Sequence, residues 1–359
     1  MTIERHVYRA VDVRNGPTLD PIAVRVGMVG DAWLPAAAKA VAHGLALTTS
    51  REAAQMAEQM CRLPYSRSTF ERVGHLVGDL YRARNTEIEE ILASRFEVPQ
   101  EACSVSVSID RTSVPMEEVA ENGEDVVRAF RMGHCATLAF HDDEGEAIHT
   151  VRYGRMPGGD IDNLDLSVQG DLSSALAQRE DLRVVLLADG AEEMWNRLNE
   201  IADGLSHEPT RLVDFWHLCE YLSAAARAIA QPSEAASMLA RWKDWLRESR
   251  WAWPMIKADL NGHEHEEVVA LRRYVDNHAG MLNYSEAKAA NLPIGSGGVE
   301  ATCKSLMGQR LKRSGSRWKR DTGENVVQLR ALQLSDRWDD GVKEALKPLR
   351  REIRCLAAA

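Results

Sequence analysis

The chain has 359 residues, 45% of them hydrophobic, and a formal net charge of −10 at pH 7. This length is typical of two or three domains with ordinary globular cores. The net negative charge excludes a surface that attracts nucleic acid as a whole, so any polyanion has to bind at local basic patches. The six cysteines are scattered without a C-x-x-C pair, which argues against a zinc ribbon or a disulfide framework and indicates a reducing compartment.

No segment of the sequence predicts contact with a membrane. The first residues lack the charged-then-apolar pattern of a signal peptide. The most apolar region, residues 32–47, is interrupted by Pro35, Lys39 and Gly44, so it does not have the composition of a transmembrane helix. We therefore expect a cytoplasmic protein without a membrane partner.

Residues 1–100 are predicted to form a helical N-terminal domain. Apolar spacing and capping residues predict helices over residues 33–47, 51–60, 66–81 and 85–93. The break at residues 61–64 gives the second and third helices the pattern of a helix-turn-helix. Arg67 and Arg72 would then lie where recognition helices contact DNA. An ordinary helical hairpin has the same pattern, so both interpretations stay open.

After residue 103 the pattern of the sequence changes from helical spacing to the alternation that is typical of strands. Small polar and β-branched residues alternate over residues 104–110, which predicts a strand that ends at Asp110. The polar and acidic residues 113–133 are predicted to form an ordered loop. Two further strands, over residues 135–140 and 147–153, are predicted to be joined by a hairpin turn.

An unbroken apolar run over residues 182–188 predicts a buried, parallel strand. Asp189 follows it, at the strand end where open α/β sheets place their ligands. A short strand over residues 211–215 carries Asp214 and His217 at its end. A single Asp at a strand end is most often a turn residue, but three such ends together predict a constellation of functional groups.

The stretch from residue 292 to residue 304 is a Pro- and Gly-rich loop that runs into a predicted helix, with Glu300 in the first turn. A carboxylate on so stiff an element has the fixed position that a metal ligand requires. The alternative is an acid that only stabilises the helix N-terminus. Residues 304–320 contain seven Lys or Arg and no acid, which indicates binding to a polyanion.

The remaining segments are predicted to be helical. Residues 218–290 form an all-helical region in which Trp242 and Trp245 are predicted to lie in the core. In the last segment, residues 336–359, the stretch from residue 343 to residue 354 predicts a basic amphipathic helix.

Taken together, these motifs resemble the DDE transposases, and within them the Kra type of bacterial insertion-sequence transposases. The resemblance rests on Ser108-Ile109-Asp110, Leu187-Ala188-Asp189-Gly190, Val213-Asp214-Phe215-Trp216-His217, Pro293-Ile294-Gly295-Ser296-Gly297-Gly298-Val299-Glu300 and the basic run Arg310-Leu311-Lys312-Arg313-Ser314-Gly315-Ser316-Arg317-Trp318. It covers roughly residues 103–335, and the order of the motifs is more specific than any one of them.

The resemblance implies an α/β fold: a ribonuclease H-like mixed five-stranded sheet with flanking helices, an all-helical insertion and a helical N-terminal domain. The sheet domain would be divided into residues 101–217 and 291–335, with residues 218–290 as the insertion.

The resemblance also implies the site. Asp110, Asp189 and Glu300 would hold two Mg²⁺ ions, or Mn²⁺ in their place, and His217 would contact the scissile phosphate or the leaving oxygen. Two such ions, roughly 4 Å apart, can activate an oxygen nucleophile and stabilise the leaving oxygen. The nucleophile would be water for cleavage and a DNA 3′-hydroxyl for joining.

The partner implied is DNA, both the element ends and the target, bound by a homo-oligomer that is a dimer on DNA. The residues predicted to contact it are Arg67, Arg72, Lys304, Arg310, Lys312, Arg313, Arg317, Trp318 and Lys319. Contacts to phosphates predict a steep salt dependence. Trp318 either stacks on an unpaired base or packs against the last helices, and both interpretations stay open.

Two other functions remain possible from the sequence. One is a transposase-derived DNA-binding protein without catalysis, which is favoured by the cation Arg111 beside Asp110 and by a short N-terminal region, and disfavoured by the intact acids. The other is a ribonuclease H-like nuclease that cuts DNA without joining it.

Overall fold

The computed structural model describes residues 6–9, 14–30, 32–61, 65–120 and 125–353. These residues form a mixed α/β structure in which helices surround one five-stranded sheet. The strands are β1 (Tyr8–Arg9), β2 (Thr18–Leu19), β3 (Ser104–Val119), β4 (Val126–His141), β5 (Ala147–Arg155), β6 (Arg183–Ala188) and β7 (Thr210–Val213). The helices are α1 (Pro21–Val26), α2 (Pro35–Leu47), α3 (Ser50–Cys61), α4 (Arg67–Arg82), α5 (Asn85–Arg95), α6 (Ile161–Gln178), α7 (Glu192–Ile201), α8 (Phe215–Ile229), α9 (Pro232–Glu248), α10 (Ala252–Asp259), α11 (Glu266–Asn277), α12 (Tyr284–Ala289), α13 (Gly297–Thr302), α14 (Gln309–Leu311), α15 (Arg320–Leu334) and α16 (Trp338–Leu346).

The five-stranded sheet has the order β5-β4-β3-β6-β7. Strands β3, β4 and β5 are antiparallel neighbours, whereas β6 and β7 run parallel to β3. This arrangement is compatible with the ribonuclease H-like sheet that the resemblance implies. In register, Ser108 pairs with Leu187 and Leu187 with Leu212. Asp110, Asp189 and Asp214 each lie two residues after one of these positions. They therefore meet at the same edge of the sheet.

The prediction of a loop over residues 113–133 is wrong, because β3 and β4 continue through this region as a long antiparallel hairpin. Its ladder extends to the pair Val119–Val126, and residues 121–124 lie outside the described part of the chain. The backbone of Trp318 adds to the outer edge of β3: its N–H donates to Pro115 O at 3.0 Å, and its carbonyl accepts from Glu117 N–H at 2.8 Å. The ladder between β3 and β4 therefore makes strands of residues whose sequence is typical of a loop, and Trp318 adds two hydrogen bonds at their edge.

The N-terminal helices have the capping interactions that the sequence predicts. Thr49 Oγ1 accepts from the Glu52 N–H at 3.2 Å, and Glu52 Oε2 accepts from the Thr49 N–H at 3.0 Å, which forms a capping box before α3. The Ser66 hydroxyl caps α4 by accepting from the Thr69 N–H. Residues 62–64, within the predicted break between these helices, lie outside the described residues. None of the helices that the structure describes is long and apolar enough to cross a bilayer.

The N-terminal helices share one apolar core with the end of the chain. Phe70, Val73 and Val77 of α4 belong to the same buried cluster as Leu329 of α15 and Val342 of α16. Apolar burial is the main stabilising contribution to folding, so residues from both ends of the sequence stabilise this core jointly.

The predicted basic helix over residues 343–354 is wrong. Helix α16 ends at Leu346 and is followed by a 3-10 turn, Lys347–Leu349. Pro348 has no N–H with which to continue an α-helix, and the Glu344 carbonyl instead accepts from Arg84 Nη1 at 3.0 Å. Residue 354, the last of the predicted helix, and residues 355–359 lie outside the described residues.

Helices α8–α12 form the helical region between β7 and the loop that leads to α13. Trp242 is fully buried there, and its indole N–H donates to Asp259 at 2.8 Å. The core position predicted for Trp242 is therefore correct. Phe215 was predicted to end the strand before this region, but it is the first residue of α8.

Candidate active site

A cleft of about 260 Å³ opens at the sheet edge where β3, β6 and β7 bring their polar residues together. The residues that line it are Ile109, Asp110, Asp189, Asp214, Trp216, His217, Glu220, Ser296, Gly297 and Glu300. All four residues predicted to be catalytic are among them. The cleft is strongly acidic, because five of its lining residues are Asp or Glu.

Asp110 lies in the middle of β3 and is partly buried. Its Oδ1 accepts from the Arg111 N–H at 2.6 Å, and the Cys303 thiol donates to its Oδ2 at 3.5 Å. Burial raises the pKa of Asp110, and the negative charges of Asp189 and Glu300 raise it further. The three acids are thus close enough for their charges to interact.

Arg111 does not compete for the Asp110 carboxylate. Neighbouring residues of a strand point to opposite faces of the sheet, and the Arg111 guanidinium donates to Glu193 Oε2 at 2.6 Å. The positive charge of Arg111 is therefore paired with Glu193 and not with Asp110.

Asp189 follows β6 in a turn that the helical region holds in place. Its Oδ1 accepts from the Ala191 N–H at 3.0 Å, and its carbonyl accepts from the Tyr274 hydroxyl at 2.8 Å. Gly190 has a φ of +99°, and a Cβ there would lie 2.9 Å from the Tyr274 oxygen and 3.1 Å from the His278 ring. Only glycine allows Tyr274 and His278 of the α11 region to approach the Asp189 turn so closely.

Asp214 belongs to the constellation predicted at the strand ends, but the sequence assigns it no role in the site. It is 5% exposed, and its Oδ1 caps α8 by accepting from the His217 N–H at 2.6 Å. Its Oδ2 accepts from both the backbone N–H and the hydroxyl of Ser296. The position after a strand predicts a helix cap, but no sequence signal predicts the bonds to Ser296.

His217 lies in the first turn of α8, within an aromatic cluster. Its Nδ1 is 3.4 Å from Glu220 Oε2. Its ring meets Tyr221 and Tyr274 edge-on, with centroid distances of 5.5 and 5.8 Å, and Tyr221 stacks on Tyr274 at 4.3 Å. Because Tyr274 also binds the Asp189 carbonyl, the cluster connects two sides of the cleft.

Glu300 lies in α13, with its acid in the first turn as predicted. Its carboxylate is 63% exposed and forms an ion pair with Lys304 Nζ at 2.7 Å. After Thr302 the helix widens into a π-helical turn, Cys303–Gly308, a distortion that is frequent at functional sites.

The donor set of the cleft fits a hard divalent cation, since Mg²⁺ prefers carboxylate oxygens. Burial first, and then the charges of Asp189 and Glu300, raise the pKa of Asp110, and a cation would favour its charged form. Within the described residues, no three His, Cys, Asp or Glu side chains are already arranged to hold a metal. Glu300 would have to exchange Lys304 for the ion.

The predicted DNA-binding residues of the basic run divide into buried and exposed members. Arg310 is 4% exposed, donates to Leu45 O at 3.1 Å and lies 4.9 Å from the Trp318 ring centroid. Burial, with the nearby charges of Arg313 and Arg330, lowers its pKa to about 10. Arg310 cannot reach a phosphate from this position, so the prediction that it contacts DNA is not supported by its placement.

Trp318 is packed within the protein, and its contacts are with β3, Arg310 and Leu311, whereas its second interpretation places it against the last helices. Its indole N–H donates to Leu311 O at 3.1 Å, in addition to the backbone bonds to β3.

Arg313 binds Glu52 at 2.6 Å and Lys312 binds Thr112 Oγ1 at 2.6 Å, so both make structural contacts. The exposed members of the predicted set are Arg67, Arg72, Lys304, Lys312, Arg317 and Lys319.

Comparison with known proteins gives little further information. No protein-family model matches the chain. No curated protein matches it either. Among solved structures, the chain is similar to the Drosophila P element transposase strand transfer complex, with 12% sequence identity and a TM-score of 0.33 over 89% of this chain and 84% of that chain.

Proposed function

We propose that the chain is a DDE transposase of the Kra type with a ribonuclease H-like core, which cleaves and joins the DNA of an insertion sequence with the help of Mg²⁺. One observation carries the proposal: Asp110, Asp189, Glu300 and His217 come from four separate elements and line a single cleft. The mixed sheet supports it, because its order and strand directions bring the first two acids to the same edge.

Asp110, Asp189 and Glu300 are the residues that would hold the metal. When bound, the ions would supply charge neutralisation for the phosphodiester and activation of an oxygen nucleophile. The rest of the site positions these groups. Tyr274 holds the Asp189 turn, and Asp214 holds the segment that leads to Glu300. His217 is directed by its helix cap and by Glu220, and is partly exposed to the cleft.

The charge distribution supports a polyanionic substrate that binds together with cations. Five acids line the cleft, so a phosphodiester without a counter-ion would be repelled from it. Lys243 and Arg247 of α9 lie beside the cleft, near the ring of Trp216. DNA would therefore contact these cations and the exposed basic residues while the acids hold metal.

The test is cleavage of a plasmid that carries the DNA found on either side of the gene. The wild-type chain should produce Mg²⁺-dependent nicks or breaks and joined products, and chelation of the metal should stop both. Asp110→Asn and Asp189→Asn should each lose cleavage, because an amide neither neutralises nor binds the ion as a carboxylate does. Both variants should keep DNA binding in a mobility-shift measurement.

The same measurement separates the two alternative functions. DNA binding without any metal-dependent cleavage would identify a transposase-derived DNA-binding protein. Cleavage without joined products would identify a nuclease. Since Arg111 is bound to Glu193 and the predicted catalytic acids line one cleft, the placement favours catalysis.

A further inference from the structure

Trp216 is an exposed aromatic side chain on the wall of the acidic cleft. It is 55% exposed, and no other large hydrophobic residue so exposed in the described chain lines this cleft. It lies between Phe215, which is fully buried, and His217, so its position in the fold is set by the N-terminus of α8. An indole held open to solvent at this place is available to a ligand.

The Trp216 ring is held from two sides. The Phe215 ring meets it edge-on, with a centroid distance of 5.3 Å and an interplanar angle of 82°. Gly295 lies against its pyrrole edge, where a Cβ would be 3.0 Å from Cδ1. The neighbouring loop is attached to α8 by the Phe215 N–H, which donates to Ile294 O at 3.0 Å. The ring is therefore a pre-positioned surface.

Two cations of α9 flank the ring. Lys243 Nζ is 5.5 Å and Arg247 Cζ is 5.7 Å from the centroid of the Trp216 ring. Arg247 Cζ also lies 4.7 Å from the Phe215 centroid and its Nη1 lies 3.8 Å from Asp244 Oδ1, so these contacts hold its guanidinium beside the ring. An aromatic face next to positive charges is the combination with which proteins bind single-stranded nucleic acid.

We propose that Trp216, Lys243 and Arg247 form a subsite for an unpaired nucleotide of the DNA substrate. The Trp216 indole stacks on the base, while Lys243 and Arg247 contact the adjoining phosphates. The inference rests on the proposed function, because DNA must enter this cleft. It assigns stacking to Trp216, which is 55% exposed, and not to Trp318, which is partly buried and donates its indole N–H to Leu311 O.

The binding test uses a strand of about 12 thymidines and an abasic strand of the same length, which has the same phosphates without bases. Affinities of the full chain are measured by fluorescence anisotropy in Mg²⁺. Trp216→Ala should weaken binding of the thymidine strand about 5- to 150-fold, the range of one lost stacking contact. It should leave the abasic strand unchanged, and Trp216→Phe should restore most of the loss.

Trp251→Ala is the matched control. Trp251 is 61% exposed and has Arg250 at 5.1 Å from its ring, but it does not line the cleft. Its replacement should change neither affinity. The double variant Lys243→Ala with Arg247→Ala should weaken both strands, because phosphate contacts do not depend on bases. Melting curves confirm that each variant is folded.

The outcomes separate this inference from the proposed function. If the wild-type chain binds DNA and cleaves it, but Trp216→Ala binds the thymidine strand as tightly as Trp251→Ala, only the subsite is overturned. The same conclusion follows if Trp216→Ala loses both strands equally. If the wild-type chain binds neither duplex nor single-stranded DNA, the proposed function and the subsite are overturned together.

Discussion

Asp214 and Ser296 are 82 residues apart in sequence and are joined by two hydrogen bonds at the edge of the cleft. The Asp214 carboxylate accepts from the Ser296 backbone N–H and, at 2.7 Å, from its hydroxyl. The same carboxylate caps α8 through the His217 N–H. One buried acid therefore fixes both the helix that carries His217 and the segment that leads to Glu300.

Asp214→Ala should lower the free energy of unfolding by about 2–3 kcal/mol, because it removes a helix cap and leaves buried donors without an acceptor. Ser296→Ala keeps the backbone bond and should cost only about 1 kcal/mol. Urea unfolding of both variants measures the difference. Equal losses for the two variants would show that the hydroxyl, and not the carboxylate as a whole, stabilises the loop.

Glu300→Gln should abolish Mg²⁺-dependent cleavage while DNA binding survives, because the lost charge is a metal ligand. Lys304→Ala removes the cation that pairs with Glu300 at 2.7 Å, so the Mg²⁺ concentration that gives half-maximal cleavage should fall. Cleavage by each variant is measured across a Mg²⁺ titration. Cleavage by Glu300→Gln at the wild-type rate would contradict a ligand role for this acid.

The basic run should separate into structural and DNA-contacting residues. Arg317 is exposed, so Arg317→Ala should flatten the slope of log affinity against log salt by about one unit and leave the melting temperature unchanged. Arg313 is bound to Glu52, so Arg313→Ala should lower the melting temperature and leave the slope unchanged. The two variants are controls for each other in binding titrations at several salt concentrations. The reverse pattern would place DNA on the Arg313 side.

The ion pair of Glu52 and Arg313 should make stability dependent on pH in the acid range. The hydrogen bond from Arg313, followed by those from Thr49, lowers the pKa of Glu52 from 4.5 to about 2. A lowered folded-state pKa contributes stability above about pH 4.5, and this contribution is lost as the pH falls toward 2.

Glu52→Gln should therefore be less stable than wild type at pH 7, by about 0.2–1 kcal/mol for so exposed a pair. The difference should shrink as the pH falls through this range. Urea unfolding at several pH values measures it. Glu58→Gln, an exposed acid on the same helix, serves as the control. A difference that grows toward low pH would show that the Glu52 pKa is not lowered.

Gly190→Ala should test how the helical region supports the Asp189 turn. Gly204 has a similar φ of +84° but nothing within 4 Å of an added Cβ. Gly204→Ala should therefore cost only backbone strain, roughly 1–2 kcal/mol. Gly190→Ala should cost more, because the methyl group also displaces Tyr274 and His278. If urea unfolding shows that both variants lose the same free energy of unfolding, Tyr274 and His278 move aside without an energetic cost.

Local patterns are sufficient to single out Asp110, although β3 continues beyond it, and Asp189, which follows β6. Asp110 and Asp189 come after short apolar or alternating runs, and parallel pairing of those runs brings both to one edge. Glu300 was predictable from its position after a glycine-rich loop, and its pairing with Lys304 follows from the i, i+4 spacing.

The parts that the sequence did not predict depend on distant partners. The long hairpin is paired along its whole length by β3 and β4, and Trp318, about 200 residues away along the chain, adds a bridge to its edge. Arg310 resembles its exposed neighbours in sequence and is buried only because α2 offers the Leu45 carbonyl. Asp214 becomes important through Ser296. Patterns of spacing within a segment carry no information about such contacts.

The core shared by α4, α15 and α16 has a consequence for how the protein is made. A ribosome releases the N-terminal helices long before residues 320–346, so the part of the apolar side of α4 that packs on α15 and α16 stays uncovered for most of translation. Domains usually fold as units in the order of synthesis, but this core closes only when α16 has emerged. A message truncated ahead of α15 would yield a chain with an open apolar surface, a target for proteases and chaperones.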